Sequence, residues 1–288
     1  MPENYSPGTN PGQKAALTIA GSDPSGGAGI QADIKTFTAI GVYAAAAITC
    51  LTVQNTSGVF GFEPASPHLV RDQVQFVLED LPITHIKTGM IGTGKTAAAL
   101  GDLLAGFQGE IFCDPVIQAS DGHPLLAPEA LTFFCSHILK HATVITPNIP
   151  ELAMLTRQPC QARAEALNAA ALLFKEYSSL RAIVITGGHL EESAAEVTDF
   201  LLLRDEIGIN HTVTEANHPR IKTSNTHGTG CTFASALTAF HLLTGDYKLA
   251  FGKACAFMDT LLRKSANLRM GKGKGPLAHH LYRGGQSP

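Results

Sequence analysis

Short apolar runs that end at Gly, Asp or Asn alternate along the chain with longer segments whose apolar residues recur at helical spacing. That alternation predicts a parallel sheet wrapped by helices, an α/β class. The run "AALTIAGSD", residues 15–23, reads as the first strand, followed by a helix over 27–40 that stops at Gly41. A second strand follows in "AAAAITCLTVQN", and "SPHLVRDQVQFVLEDL" reads as a helix with Pro67 in its first turn. The runs "THIKTG", "EIFCDP", "ATVITPN" and "AIVITGG" supply further strands, each with a helical segment before it. After "ITGGHL" the texture changes: "EVTDFLLL", "GINHTVTEA" and "RIKTS" predict shorter strands joined by turns, as antiparallel additions at a sheet edge. The last two helices are expected over 228–243 and 247–267, and the stretch "RMGKGKGP" behind them reads as a mobile loop on composition.

With 288 residues and 44% hydrophobic content the chain buries a substantial core, and we expect one domain over 15–288 behind a flexible tail over 1–14. The 21 basic and 24 acidic residues are spread along the chain, so no field of one sign draws nucleic acid or an anionic membrane. A small-molecule partner is expected instead. Six cysteines, with no C-x-x-C pair and no metal-ligand spacing, read as reduced thiols of a cytoplasmic protein. The polar start "MPENYSPGTNPGQK" lacks the apolar core of a secretory leader, and no apolar run approaches the roughly 18 residues that span a bilayer.

"GMIGTGKT", Gly89 to Thr96, matches the phosphate-loop pattern G-x-x-x-x-G-K-[ST], which would put Lys95 on phosphates and Thr96 on magnesium. A phosphate loop must curl all its amides around the anion, and Met90 and Ile91 fit that poorly. They suit the last apolar side chains of a strand beside a ligand ring, with Lys95 a solvated lysine in a first helical turn.

A stronger anion site is "NTHGTGC", Asn225 to Cys231, between an edge-like strand and the helical "TFASALTAFHLL". Gly228 and Gly230 let the backbone turn its N–H groups toward one point, and the new helix adds the positive end of its dipole. Such amides stabilise a transferring phosphoryl group where its charge develops. Cys231 falls in the first helical turn near His227, where the dipole favours a thiolate and so a general base.

"AGSDPSGGAGIQAD", "TCLTVQNT", "IKTGM", "DPV", "ITPNIPE", "GGH" and "NTHGTGC", in this order, resemble the hydroxymethylpyrimidine/phosphomethylpyrimidine kinases of thiamin biosynthesis, over roughly residues 16–280. The resemblance implies a ribokinase-like three-layer α/β/α sandwich with a mostly parallel central sheet and antiparallel edge strands. It implies ATP and Mg2+ as cofactors, a pyrimidine alcohol and then its monophosphate as substrates, and a homodimer. Most relatives in that superfamily carry an aspartate base where this chain has Cys231.

In that reading Cys231 takes the proton of the substrate hydroxyl, and Gly228, Thr229 and Gly230 form the amide cradle. Gln54 pairs with the pyrimidine edge, Gly21 lets the backbone approach the ring, and Met90 packs on its face. Asp23 and Asp33 belong to the same matched stretch; Asp33 either binds substrate or caps and orients the loop. The "PSGGAG" loop is a candidate source of amides for a phosphate already on the substrate. Asp114, Asn148 and Glu151 are oxygen donors at or beyond strand ends, placed by the resemblance near magnesium and the phosphates, with Asp114 and Glu151 as metal ligands. Thr186 and Gly188 belong to the nucleotide site. Glu192 and His189 follow in a lid-like turn without assigned chemistry.

One departure stands out: the family's usual "KGGH" is "TGGH" here, so Thr186 replaces a lysine expected near the nucleotide phosphates. Either Lys222 or the Lys272/Lys274 loop compensates, or nucleotide binding is weaker. Rival readings are a pyridoxal-type kinase of the same fold, a phosphate-loop NTPase using Lys95, and a non-catalytic ligand-binding relative.

Overall fold

The computed structural model describes residues 14–119, 122–190, 194–205, 207–208 and 210–283. Of the tail expected over 1–14, only Lys14 is among them, and Glu192 lies outside them. The chain runs through β1 (Ala15–Ser22), α1 (Gly29–Ile40), β2 (Tyr43–Asn55), β3 (Gly58–Pro64), α2 (Pro67–Asp80), β4 (Ile83–Thr88) and α3 (Gly94–Gly106). It continues with β5 (Glu110–Cys113), α4 (Pro128–His137), β6 (Val144–Ile145), α5 (Ile149–Thr156), α6 (Arg163–Glu176) and β7 (Ala182–Ile185). The edge strands β8 (Glu196–Arg204) and β9 (His211–Pro219) precede α7 (Thr229–Thr244) and α8 (Tyr247–Ser265).

Among the described residues, the strands form one sheet in the order β3-β2-β1-β4-β5-β6-β7-β8-β9. The central strands pair in parallel, while β3 at one edge and β8 and β9 at the other are antiparallel. Strand alternation sends Leu17, Ile19, Ile86, Ile111 and Ile183 into a core shared with residues of α2 through α6. Phe112, Val144, Ala182 and Val184 point the other way, onto α7 and α8, with α1 on the same side through Phe37. Each of the larger of these buried side chains contributes about 1.5–3 kcal/mol, and burial on both faces explains why the strands read as near-continuous apolar runs.

Three sequence expectations change. The strand expected in "RIKTS" is absent, because β9 ends at Pro219 and the Arg220 side chain is tied to the Gly188 and Ala194 carbonyls. The hairpin strand β3 was not expected; its glycines at 58 and 61 and its Pro64 lack a strand signature. The loop over 271–276 is tied rather than free: the Lys272 and Gly273 amides donate to Thr56 Oγ1 at 3.1 and 3.2 Å, and the His227 amide donates to the Gly275 carbonyl at 3.1 Å. No helix among the described residues is long and apolar enough to cross a membrane.

Candidate active site

The sheet reverses its direction of winding at β1, whose neighbours are β2 on one side and β4 on the other. Crevices beyond the carboxyl ends of such strands gather ligands. Here β4 alternates: Ile86 enters the core and Lys87 turns to the α1 and α7 face, where it is wholly buried. Lys87 Nζ lies 3.1 Å from Asp33 Oδ1 and 3.3 Å from Asp114 Oδ2. Asp33 also accepts from Thr18 Oγ1 at 2.6 Å and Ser235 Oγ at 2.7 Å, so its carboxylate is fully engaged. It is fully buried, and its bonds run to Thr18, Lys87 and Ser235.

Burial alone would discharge Lys87, but Asp33, Cys231 and Asp114 around it raise its pKa, and it remains an ammonium. The partly exposed Cys231 sits in the first turn of α7 beside Lys87 and Asp114. Its thiol is pushed up to about 12, first by desolvation, then by the Asp114 and Asp33 charges, with Lys87 and the Gly29 backbone opposing. The thiolate expected from the helix dipole is therefore not the resting form. Burial and two carboxylates outweigh a dipole of about 0.3–1 kcal/mol.

The cradle beside the sulfur is built by two loops far apart in sequence. Gly228 starts α7 with φ 77°, and a β-carbon there would lie 1.8 Å from the Gly27 carbonyl oxygen, so no other residue fits. No side chain caps α7, and the amides of Gly230 and Cys231 have no partner among the described residues. A methyl group at Gly230 would meet nothing within 4 Å, so that turn faces open space. These are the features of an anion site at a helix N-terminus.

Asp23 shapes the first loop. Its carboxylate accepts from the Ser25 amide and hydroxyl, from the Gly27 and Ala28 amides, and from His227 Nε2 at 2.7 Å. Burial would raise its pKa, but the His227, Ser25 and Ala28 hydrogen bonds bring it to about 2. Asp23 is only 1% exposed, and its bonds fold this loop onto the "NTHGTGC" loop. The Ser25, Gly27 and Ala28 amides thus point inward, and the "PSGGAG" loop does not present them to a second phosphate.

Gly21 and Met90, the residues expected to flank a ring, lie against one another. A β-carbon at Gly21 would lie 3.0 Å from Met90 Sδ, and Met90 packs in an apolar cluster with Cys50 and Leu125. The Met90 carbonyl accepts from Thr49 Oγ1 at 2.6 Å, which fixes the strand end against β2. Gln54, two residues beyond Thr52 on the same face of β2, is partly exposed and has no hydrogen-bonding partner among the described residues. Its amide is available as donor and acceptor on one edge.

Asp114, just past β5, is 4% exposed, and its Oδ2 has no aligned hydrogen-bonding partner. Burial raises its pKa, opposed by Lys87. Glu151 is raised to about 8 by burial and then by the charge of Asp114. Its Oε2 accepts the Asn148 amide at 2.9 Å while Asn148 Oδ1 accepts the Glu151 amide at 2.9 Å, a capping box that starts α5. Both residues therefore have a structural duty at this strand end. Asp114 Oδ2, ion-paired with Lys87 but without an aligned hydrogen bond, lies near the Glu151 carboxyl group, a donor set that fits a hard cation; no cluster of three or more Asp, Glu, His or Cys forms a ready cage among the described residues.

Thr186 extends β7 alongside Asn148, and Gly188 follows in a turn with open space above its α-carbon. Lys222 is exposed and has no partner among the described residues, whereas Arg220 Nη1 reaches the Gly188 carbonyl at 3.2 Å. A guanidinium is thus already on the turn that lacks the lysine. The side chain of His189 lies outside what is described.

The structure rejects the phosphate-loop reading of "GMIGTGKT". Thr93 caps α3 with its own hydroxyl, which accepts the Thr96 amide at 3.1 Å, and Thr96 is wholly buried. Met90 and Ile91 are buried, and Lys95 is exposed. Lys95→Ala is expected to leave kcat/KM for nucleotide within about twofold of wild type in a steady-state assay, as for a surface change. Loss of turnover would restore the phosphate-loop reading.

Lys87 was not among the expected site residues, nor were Thr18 and Ser235 that help hold Asp33. One signal was legible: a lysine inside the apolar run "THIKTG" sits where strand residues are buried, and a buried lysine needs partners.

Comparisons with known proteins follow the same lines. Residues 23–278 match the family model described as phosphomethylpyrimidine kinase. A hydroxymethylpyrimidine/phosphomethylpyrimidine kinase of Rhizobium meliloti (strain 1021) is 38% identical, over 93% of this chain and 97% of that protein. The structure of a Staphylococcus aureus pyridoxal kinase in complex with ADP superposes with a TM-score of 0.81 at 28% identity, covering 95% of this chain and 96% of that one. A phosphomethylpyrimidine kinase from Clostridium difficile 630 superposes with a TM-score of 0.74 at 30% identity, covering 86% of this chain and 99% of that one. The sheet order, the helical layers and these matches make the fold ribokinase-like. With its family model spanning nearly the whole sheet and its helices, this chain belongs to the phosphomethylpyrimidine kinase family.

Proposed function

We propose that the protein transfers the γ-phosphoryl group of ATP to the hydroxymethyl oxygen of 4-amino-5-hydroxymethyl-2-methylpyrimidine, and then phosphorylates the monophosphate, for thiamin biosynthesis in the cytoplasm. The carrying observation is the convergence of Cys231 with unpartnered Gly230 and Cys231 amides at the start of α7, next to the buried Lys87 charge. Gln54 recognises the amino and ring-nitrogen edge, and Gly21 with Met90 flanks the ring. The Gly230 and Cys231 amides carry the anion, with Gly228 opening the turn and the Thr229 amide turned back to the Thr226 carbonyl, and Cys231 accepts the hydroxyl proton as oxygen attacks phosphorus. Because the resting form is a thiol, its own proton first passes to solvent, and Lys87 and the Gly29 backbone favour the thiolate that then accepts the substrate proton.

Asp114 and Glu151 would hold a magnesium ion, with Asn148, Thr186 and Gly188 on the nucleotide side. When bound, that ion neutralises phosphate charge and relieves the crowding of carboxylates around Asp114. A homodimer is supported by Leu51, Val53 and Phe60, which the β2–β3 hairpin leaves 57–67% exposed. Sedimentation giving only monomer at micromolar concentration would refute it.

The direct test is ADP release with purified protein across pyrimidine and pyridoxine-type alcohols. The expected result is the highest kcat/KM for the pyrimidine alcohol, and a second turnover with its monophosphate. A preference for pyridoxal would move the assignment to the pyridoxal-type kinases that share the fold. Binding of the pyrimidine without ADP release would move it to a non-catalytic relative.

A further inference from the structure

The turn that leaves β7 at Gly187 is held from behind by polar contacts that play no part in the transfer chemistry. The Gly187 amide donates to Asp199 Oδ1 at 2.8 Å. Asp199, buried on β8, turns its other oxygen to His218 Nε2 at 3.0 Å. On the far side of the ring, His218 Nδ1 lies 3.4 Å from Asp259 Oδ1 on α8, an oxygen with no hydrogen-bonding partner.

A carboxylate only accepts, so an imidazole facing carboxylates at both nitrogens is satisfied only with a proton on each. The Asp199 hydrogen bond raises the His218 pKa above its ordinary 6.5, opposed by burial and supported by the Asp199 and Asp259 charges. Two other titratable or charged groups face this cluster. Arg220 opposes the proton on His218, and Cys255 on α8 is kept a neutral thiol by burial and by the two aspartates.

The link from this cluster to the turn is mechanical. A β-carbon at Gly187 would lie 1.8 Å from the Thr198 carbonyl oxygen, so the turn rests directly on β8, one residue from Asp199. Arg220 holds the other side through Gly188 and Ala194. Packed contacts of this kind pass a displacement on rather than absorb it.

We propose that His218, as an imidazolium between Asp199 and Asp259, is a positioning residue that keeps the Gly187–Gly188 turn in the form that accepts a nucleoside triphosphate, so that nucleotide affinity falls as pH rises. This rests on the reading above that the turn meets the nucleotide. The sign follows from a raised folded-state pKa: the contribution is complete below about pH 6.5 and is lost as pH climbs through the raised value.

The test compares wild type with His218→Gln, which keeps one hydrogen bond and removes the charge, by the KM for ATP and by ADP calorimetry between about pH 6 and 9. Wild type is expected to lose nucleotide affinity with rising pH. The variant is expected to show a KM for ATP higher by about 3–30-fold at low pH, a flat profile, and kcat and pyrimidine KM unchanged. Asp259→Asn, at the more exposed end, is the companion variant should His218→Gln fold poorly, and a smaller rise of the same sign is expected. Amide signals of Gly187 and Gly188 during ADP titration test the underlying assignment separately. If they do not move, the nucleotide reading of the turn fails. If they move while both variants keep wild-type affinity and pH profile, only the role of His218 is overturned.

Discussion

Cys231→Ala lowers kcat for phosphorylation of the pyrimidine alcohol by about 10²–10⁴-fold, the contribution of a positioned general base, with both KM values within about threefold. The split is expected because, in the proposed roles, Cys231 meets the reacting proton while Gln54, Met90 and the amide cradle do the binding. Cys231→Ser separates proton acceptance from hydrogen bonding, since a hydroxyl bonds but is a far weaker acid than a thiol. It should be as slow as the alanine variant. The thiol, held up to about 12 in the free protein, also predicts slow alkylation of Cys231 at neutral pH. An alanine variant with near-wild-type turnover would remove the sulfur from the mechanism.

Lys87→Met is expected to abolish measurable transfer and to destabilise the fold by about 3–5 kcal/mol, because it leaves Asp33 and Asp114 charged and buried with their shared cation gone. For a chain of this length that is a fall in Tm of roughly 6–15 °C by calorimetry. A second variant separates charge from packing. Adding Asp33→Asn to Lys87→Met removes one of the stranded carboxylates and should restore part of the stability but not the activity. An unchanged Tm for Lys87→Met would mean that the buried ion pairs are not a net support of this site.

The fold was largely legible because both faces of the sheet are covered, which turns its central strands into short apolar runs that end at polar ligand-side residues. β3 escaped because the hairpin projects from the sheet and carries neither alternation nor a continuous apolar run. "RIKTS" misled in the opposite way, its alternation arising where an arginine ties down a neighbouring turn.

The turn that opens α7 was legible because glycine pairs before a helical run have a local meaning. Lys87 was not, because its role depends on Asp33, 54 residues earlier, and on a helix joined through Ser235, 202 residues beyond Asp33. The inward turn of the Ser25, Gly27 and Ala28 amides had a local clue in the Asp-Pro-Ser-Gly order, which favours an Asx turn. The cap by Thr93 explains why "GMIGTGKT" spells a phosphate loop without folding as one.

The contact between Gly27 and Gly228 carries a consequence for synthesis of the chain. The cradle is made from a segment translated near the beginning and another translated near the end, pressed together with no room for a methyl group between them. A nascent polypeptide that has not yet reached α7 possesses the ring wall and the acidic strand ends but has nowhere to put a transferring phosphate. On the proposed roles, catalysis is expected only once α7 has docked against the Gly27 loop, and chains cut before α7 are expected to be catalytically silent.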